Sequence, residues 1–135
     1  MIAIKQSVLD QIVAHAHHEL PNEACGYLAG NEDVITHSYQ LTNIDHSPEH
    51  FSFDPAEQFQ TVRDARSKGL QILANYHSHP ATPARPSVED IRLAYDPEIS
   101  YLIISLANSQ VDVKSFKIKD LIVEKEEIVI QPDSV

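Results

Sequence analysis

A chain of 135 residues is long enough to bury a core and most simply forms one domain, residues 1–135. Its 42% hydrophobic and 22% charged residues fit a folded globular protein, and no apolar run reaches the roughly 20 residues that cross a bilayer. Acidic residues outnumber basic ones 20 to 10, a net charge of −10 that repels a phosphate backbone and argues against nucleic-acid binding.

The N-terminal Met1-Ile-Ala-Ile-Lys-Gln6 lacks the charged-then-apolar layout of a secretory signal. The single cysteine, Cys25, excludes an intramolecular disulfide and any multi-cysteine zinc site. Together these make the cytoplasm the expected location. Residues 7–20 carry Val8, Leu9, Ile12, Val13 and Ala16 at helical spacing and stop before Pro21. His15, His17 and His18 lie on this helix with no carboxylate at ligand spacing, and read as surface residues. Residues 24–29 and 34–41 read as two strands around a turn at 30–33. Cys25 falls inside the first of them, where a small core thiol is the expected role, against the rival of a Cys/His nucleophilic pair. Residues 43–53 form a polar loop holding His46 and His50.

Asp54-Pro55-Ala-Glu57 has an N-cap acceptor, proline at the first helical position and an acid three residues after the cap, and Gly69 supplies the stop. The apolar run 70–76 is then a buried strand. Pro80, Pro83 and Pro86 stiffen the loop that follows. Ser87-Val-Glu-Asp90 opens a third helix that runs toward Pro97, with Val88, Ile91 and Tyr95 expected on its inner face. Residues 101–106 and 111–118 are strands, and 121–130 is one further strand, a candidate edge. Helix, two strands, helix, strand, helix, strands is the order of an α/β layered domain: a mixed sheet flanked by helices.

The chemistry concentrates in His77-Ser78-His79-Pro80, Ser87 and Asp90. Strand side chains alternate with period two, so His77 and His79 leave the end of the 70–76 strand on one face. Two such imidazoles can chelate one ion, and Asp90, in the first turn of the next helix, can add a third ligand. Three protein ligands leave one tetrahedral position open, the arrangement of a catalytic rather than a structural Zn²⁺ site. Taken alone, a loop histidine is more often exposed and inert. Ser-x-x-Asp is equally well a helix cap with an acid favoured by the dipole. Water activated by such an ion still needs a proton acceptor, for which Glu23, between the first helix and the first strand, is the candidate. By itself Glu23 is an ordinary surface acid. One cysteine cannot supply the zinc-deaminase signature, and no His-Glu-x-x-His helix occurs.

Glu23, His77-Ser-His-Pro80, Ser87 and Asp90 together resemble the JAMM motif of the JAB/MPN metalloprotease family. The flanking pieces agree: Glu23-Ala-Cys-Gly-Tyr-Leu-Ala-Gly30 is similar to the family's first strand, and Tyr101-Leu-Ile-Ile-Ser-Leu106 to the strand after its motif. The likeness covers roughly residues 1 to 120. It implies a cytidine-deaminase-like α/β sandwich that hydrolyses an amide or isopeptide bond. His77, His79 and Asp90 would hold Zn²⁺, Glu23 would take a proton from water and return it to the leaving amine, and Ser87 would help stabilise the oxyanion.

The segment Pro80–Pro86 is similar to compact prokaryotic members that process ubiquitin-like sulfur-carrier proteins by releasing an adduct such as cysteine from a C-terminal Gly-Gly. A carrier protein is therefore the expected partner, with oligomeric state open, a dimer included. Two other classes compete. One is the metal-free MPN scaffold, which typically lacks a ligand that this chain retains. The other is a RadC-like DNA-associated relative, disfavoured by the acidic charge.

Overall fold

The computed structural model describes residues 1–133. In chain order its elements are β1 (Ile2–Lys5), α1 (Gln6–His18), β2 (Cys25–Asn31), β3 (Val34–Leu41), α2 (Pro55–Ser67), β4 (Gln71–His79), α3 (Val88–Arg92), β5 (Ser100–Ser105), β6 (Asp112–Lys119), β7 (Ile122–Glu126) and β8 (Ile128–Gln131). The strands form one mixed eight-stranded sheet in the order β7-β6-β5-β4-β2-β3-β1-β8. The expected α/β layered domain, a mixed sheet with helices on its faces, is what the chain builds.

Strand alternation divides the core in two. On one face Leu28, Ala74, Tyr76, Leu102 and Ile104 pack against Val8, Ile12 and Ala16 of α1. On the other, Tyr101, Ile103, Phe116 and Ile118 pack against Ile91, Ala94 and Ile99 around α3. In the ladder His77 pairs with Ile103 and Tyr76 with Leu102, so the histidines belong to the face opposite α1. The β2–β3 hairpin turns through Glu32 and Asp33, both at positive φ, the two-residue geometry that matches strand twist. Helix α2 is capped as expected, with the Asp54 side chain accepting from the Ala56 N–H at 2.9 Å, and Gly69 at φ +71° ends the connection.

The structure departs from the sequence expectations at four places. The N-terminal apolar residues form β1, which pairs in parallel with both β3 and β8. The run 121–130 is two strands, β7 and β8, which pair at opposite ends of the sheet although only Glu127 separates them. The chain thus changes partner at a corner, and the sheet curls until its two edges meet. Glu126 secures this corner by accepting hydrogen bonds from Ser100 Oγ at 2.6 Å and Ser115 Oγ at 2.8 Å.

Helix α3 has five residues and ends at Arg92, capped by Leu93, rather than near Pro97. Val88 and Tyr95, expected inside, are each 81% exposed. Asp96 explains the early stop: its N–H donates to the Tyr101 hydroxyl at 3.1 Å and its carbonyl accepts from that hydroxyl at 2.8 Å, which fixes the chain in a loop. His15, read as a surface residue, is buried at 4% exposure, with its Nδ1 2.7 Å from the Tyr76 hydroxyl. His17 and His18 are exposed.

Candidate metal centre and its cleft

β4 extends through both histidines, because pairing with β5 continues to His79–Ser105. The imidazoles therefore sit on a strand held on both sides rather than on a free loop. His77 Nε2, His79 Nε2 and Asp90 Oδ2 are mutually 3.1 Å apart. Among the described residues this is the group of side chains that could hold a metal ion. Ligand atoms around a tetrahedral zinc ion with bonds near 2.0–2.1 Å would be separated by about 3.3 Å, so the triangle fits such an ion.

Protonation supports the fit. His79 Nδ1 lies 2.8 Å from the Pro83 carbonyl, which can only accept, so the ring proton resides there. His79 Nε2 then presents a lone pair to the shared point, where Asp90 Oδ2 also brings only acceptor capacity. Lone pairs converging in this way call for a cation. Burial works to raise the Asp90 carboxyl, but where no cation is bound the adjoining His77 and His79 imidazoles can carry the protons that face it, and with the Ser87 N–H they hold it well below the usual carboxylate range. Burial likewise works to lower His79, but in the same cation-free state a second proton on Nε2 is shared with Asp90, and this contact with the Pro83 bond raises His79 above its ordinary value.

Asp90 is oriented by the start of α3. The Ser87 side chain accepts from the Asp90 N–H at 3.0 Å, and the Ser87 N–H donates to Asp90 Oδ2 at 2.9 Å, a reciprocal capping box. Ser87 itself is exposed. Its oxygen is engaged as an acceptor, which leaves its O–H free to donate.

Glu23 reaches the same place from the start of β2. Cys25 lies opposite His77 in the antiparallel ladder, and the Ser78 N–H donates to the Ala24 carbonyl at 3.0 Å, so Glu23 falls across from His79. The Ala24 N–H donates to Ser78 Oγ at 2.8 Å, the Glu23 N–H to the Ser47 carbonyl at 2.9 Å, and Asn43 Nδ2 to the Glu23 carbonyl at 3.1 Å. Its side chain is 3% exposed and Oε1 has no partner. Burial pushes its carboxyl up to about 8, against the opposing influence of His79 and with the support of Asp90 and Glu89. Cys25 is fully buried beside it, with Sγ 3.8 Å from the Leu41 carbonyl and burial pushing the thiol up to about 12. A thiol held protonated in this way is a poor nucleophile, and the core role expected for Cys25 is the one it has.

Four residues to which the sequence reading gave no role at the site support the centre. Ser78 ties β4 to the Glu23 segment, Asn43 pins that segment from the polar loop, and Pro83 orients His79. Phe51 stacks on His77 with ring centroids 4.7 Å apart. Their signal was faint, since each acts through backbone or ring contacts between segments far apart in sequence. A cleft of about 830 Å³ opens from His77 and Asp90 along the sheet between α2 and the α3 region, and reaches Gln71 at the far end of β4. Phe53, Tyr27, Ile72 and Ile103 give it an apolar floor.

A family model for prokaryotic homologs of the JAB domain matches residues 5–119. The CysO-cysteine peptidase of Mycobacterium tuberculosis (strain ATCC 25618 / H37Rv) is 33% identical over 131 residues, 95% of this chain and 90% of that protein. A Thermus thermophilus protein named probable TtuB-protein conjugate cleaving protease is 34% identical over 95 residues, 70% of this chain and 64% of its own length. Among solved structures, protein DSY2949 from Desulfitobacterium hafniense has a TM-score of 0.91 and 51% identity, covering 98% of this chain and 94% of that one.

Proposed function

The chain belongs to the prokaryotic JAB family of JAMM-type hydrolases, and we propose that it is a single-domain zinc peptidase acting at the C-terminal Gly-Gly of a ubiquitin-like sulfur-carrier protein. Release of cysteine from a carrier adduct is the reaction that best suits it, since a relative similar over 95% of the chain is named CysO-cysteine peptidase. The observation that carries the reading is the triangle of His77, His79 and Asp90 atoms with the buried, unpartnered Glu23 carboxyl beside it.

His77 Nε2, His79 Nε2 and Asp90 Oδ2 would hold the zinc ion, which when bound polarises the scissile carbonyl and acidifies the attacking water. Glu23, whose carboxyl burial raises, would be drawn toward its charged form beside a bound cation and so serve as the base. Glu23 takes the proton from water as the carbonyl is attacked, and returns it to the departing amine. The Ser87 O–H, free to donate, stabilises the oxygen that gains charge. Phe51, stacked on His77, and Phe53 against it would wall the reacting atoms from bulk water, and the cleft would hold the carrier tail extended toward the three ligands.

The test offers the zinc-loaded protein two substrates side by side: a sulfur-carrier–cysteine adduct and a ubiquitin isopeptide dimer, each with a chelator control. Chelator-sensitive release of cysteine from the adduct is expected. Cleavage of neither substrate by a zinc-loaded sample overturns the assignment.

A further inference from the structure

Asn75 lies on the floor of the cleft, and neither the fold nor the chemistry above makes use of its side chain. It precedes His77 by one step of strand alternation and so shares its face of β4. In the ladder Asn75 pairs with Tyr27 of β2 and with Tyr101 of β5, and all three line the cleft. Both flanking hydroxyls have hydrogen-bond partners. Tyr27 accepts from Gln58 Nε2 at 2.8 Å, and Tyr101 exchanges hydrogen bonds with the Asp96 backbone. Asn75 differs from both: its Oδ1 is buried and has no hydrogen-bond partner.

A buried carbonyl without a donor destabilises the fold, and an aliphatic side chain would occupy the same floor without that cost. A polar group kept at such a position points to a partner that arrives with the ligand. The amide turns about a broad two-fold torsion that exchanges Oδ1 and Nδ2, so the oxygen can face the cleft without any movement of the strand, with Nδ2 taking the inner position. No charged group competes for it within its cross-strand row of Tyr27, Asn75 and Tyr101.

We infer that Asn75 is a specificity-determining residue whose Oδ1 accepts a hydrogen bond from a main-chain N–H of the substrate tail. This rests on the reading that the substrate presents an extended C-terminal tail. A tail whose scissile carbonyl is at the triad passes Asn75 roughly 7 Å earlier, the span of two extended residues. The contact therefore falls within the last four residues of the tail. It selects a chain with a free N–H at that point and rejects proline or an N-alkylated residue there.

An ester scan tests this. Tail peptides ending in Gly-Gly and joined to an amine are made with each of the last four backbone N–H groups replaced in turn by oxygen. kcat/KM is measured for the zinc-loaded wild type and the Asn75→Ala protein. Asn75→Leu, which keeps the floor filled, serves as a second variant should the first fail to fold. In parallel, the uncleavable free-acid peptide is titrated into metal-free protein while the Asn75 side-chain amide resonances are followed by NMR.

The all-amide peptide should lose about tenfold in kcat/KM in either variant. One ester position should cost the wild type the same factor and cost the variants nothing more, and the Asn75 resonances should shift on binding. An equal loss in the variants on every member of the scan, with unmoved resonances, overturns the inference while leaving the peptidase reading intact. Binding with the Asn75 shift but no cleavage by the wild type overturns the peptidase reading and supports the contact.

Discussion

Ser87 and Asp90 hold one another through two backbone N–H groups, and the Asp90 oxygen that receives the Ser87 N–H at 2.9 Å is the one that faces both imidazoles at 3.1 Å. A helix start and a ligand mount are thus one object. Ser87→Ala removes the acceptor for the Asp90 N–H, which costs about 1 kcal/mol of local stability and loosens the carboxylate. Zinc affinity is expected to fall roughly 10- to 100-fold, the usual range for an outer partner of a metal ligand. Competition against a chromophoric chelator measures it, and Ser87→Thr should restore most of the loss. Unchanged affinity with lost turnover would show instead that the hydroxyl acts only on the substrate.

Glu23→Gln keeps the shape of the site and removes the base. Zinc stoichiometry should stay at the wild-type value while kcat drops by about 10²- to 10⁴-fold, the scale of a general base. Turnover comparable to wild type would reject Glu23 as the proton acceptor.

The same substitution predicts a pH effect in the metal-free protein. Burial raises the Glu23 carboxyl from its ordinary value of 4.5 to about 8. Between those values the native state binds more protons than the unfolded one, so the Glu23 contribution to stability is complete below 4.5 and declines as pH rises toward 8. Glu23→Gln lacks this decline. Thermal unfolding should therefore show the variant gaining on the wild type from pH 5 to pH 8, and a constant difference would contradict the assigned burial.

How much of this was legible in the sequence depended on range. His77, His79, Ser87 and Asp90 lie within one strand–loop–helix unit, where alternation and capping rules act locally, so their convergence could be read directly. Glu23 was readable only through the motif as a whole, because the ladder that carries it to His79 joins distant segments. β1 and β8 were missed or merged for the same reason. Short apolar runs become strands here only by parallel pairing with each other across the ends of the chain. Val88 and Tyr95 misled because helical periodicity continued past Arg92, while the turn to loop is imposed by Tyr101 from the next strand.

Gly26 predicts the tightest steric requirement near the centre. A Cβ there would meet the Tyr39 carbonyl oxygen and, at 2.5 Å, the Tyr76 ring. Neither neighbour can yield: the first is backbone in β3, and the second is a fully buried ring between Gly26 and α1. Gly26→Ala should destabilise the protein by several kcal/mol, in the range of severe overpacking. Urea unfolding measures the loss. A change under about 1 kcal/mol would mean that β2 and β3 can part without penalty.

His15 carries the last prediction. Its Nε2 is 3.3 Å from Glu19 Oε1 and its Nδ1 2.7 Å from the Tyr76 hydroxyl. The carboxylate can only accept, so the ring proton sits on Nε2 and the Tyr76 O–H donates to Nδ1. A second proton on the ring would abolish that acceptor in a buried setting. Burial accordingly lowers His15 below its ordinary 6.5, outweighing the favourable influence of Glu19. A depressed histidine contributes stability that is complete above 6.5 and is lost as pH falls toward its folded value. The difference in unfolding free energy between wild type and His15→Gln should be flat above pH 7 and shrink on acidification below 6.5. Tyr76→Phe leaves Nδ1 without its donor and should cost about 1–3 kcal/mol at pH 7.5, because one buried partner of a pair is removed. Since Tyr76 and His77 face opposite sides of β4, zinc affinity in Tyr76→Phe should match the wild type. A parallel loss of zinc binding would mean that the two faces of the strand are coupled, contrary to the separation seen in the core.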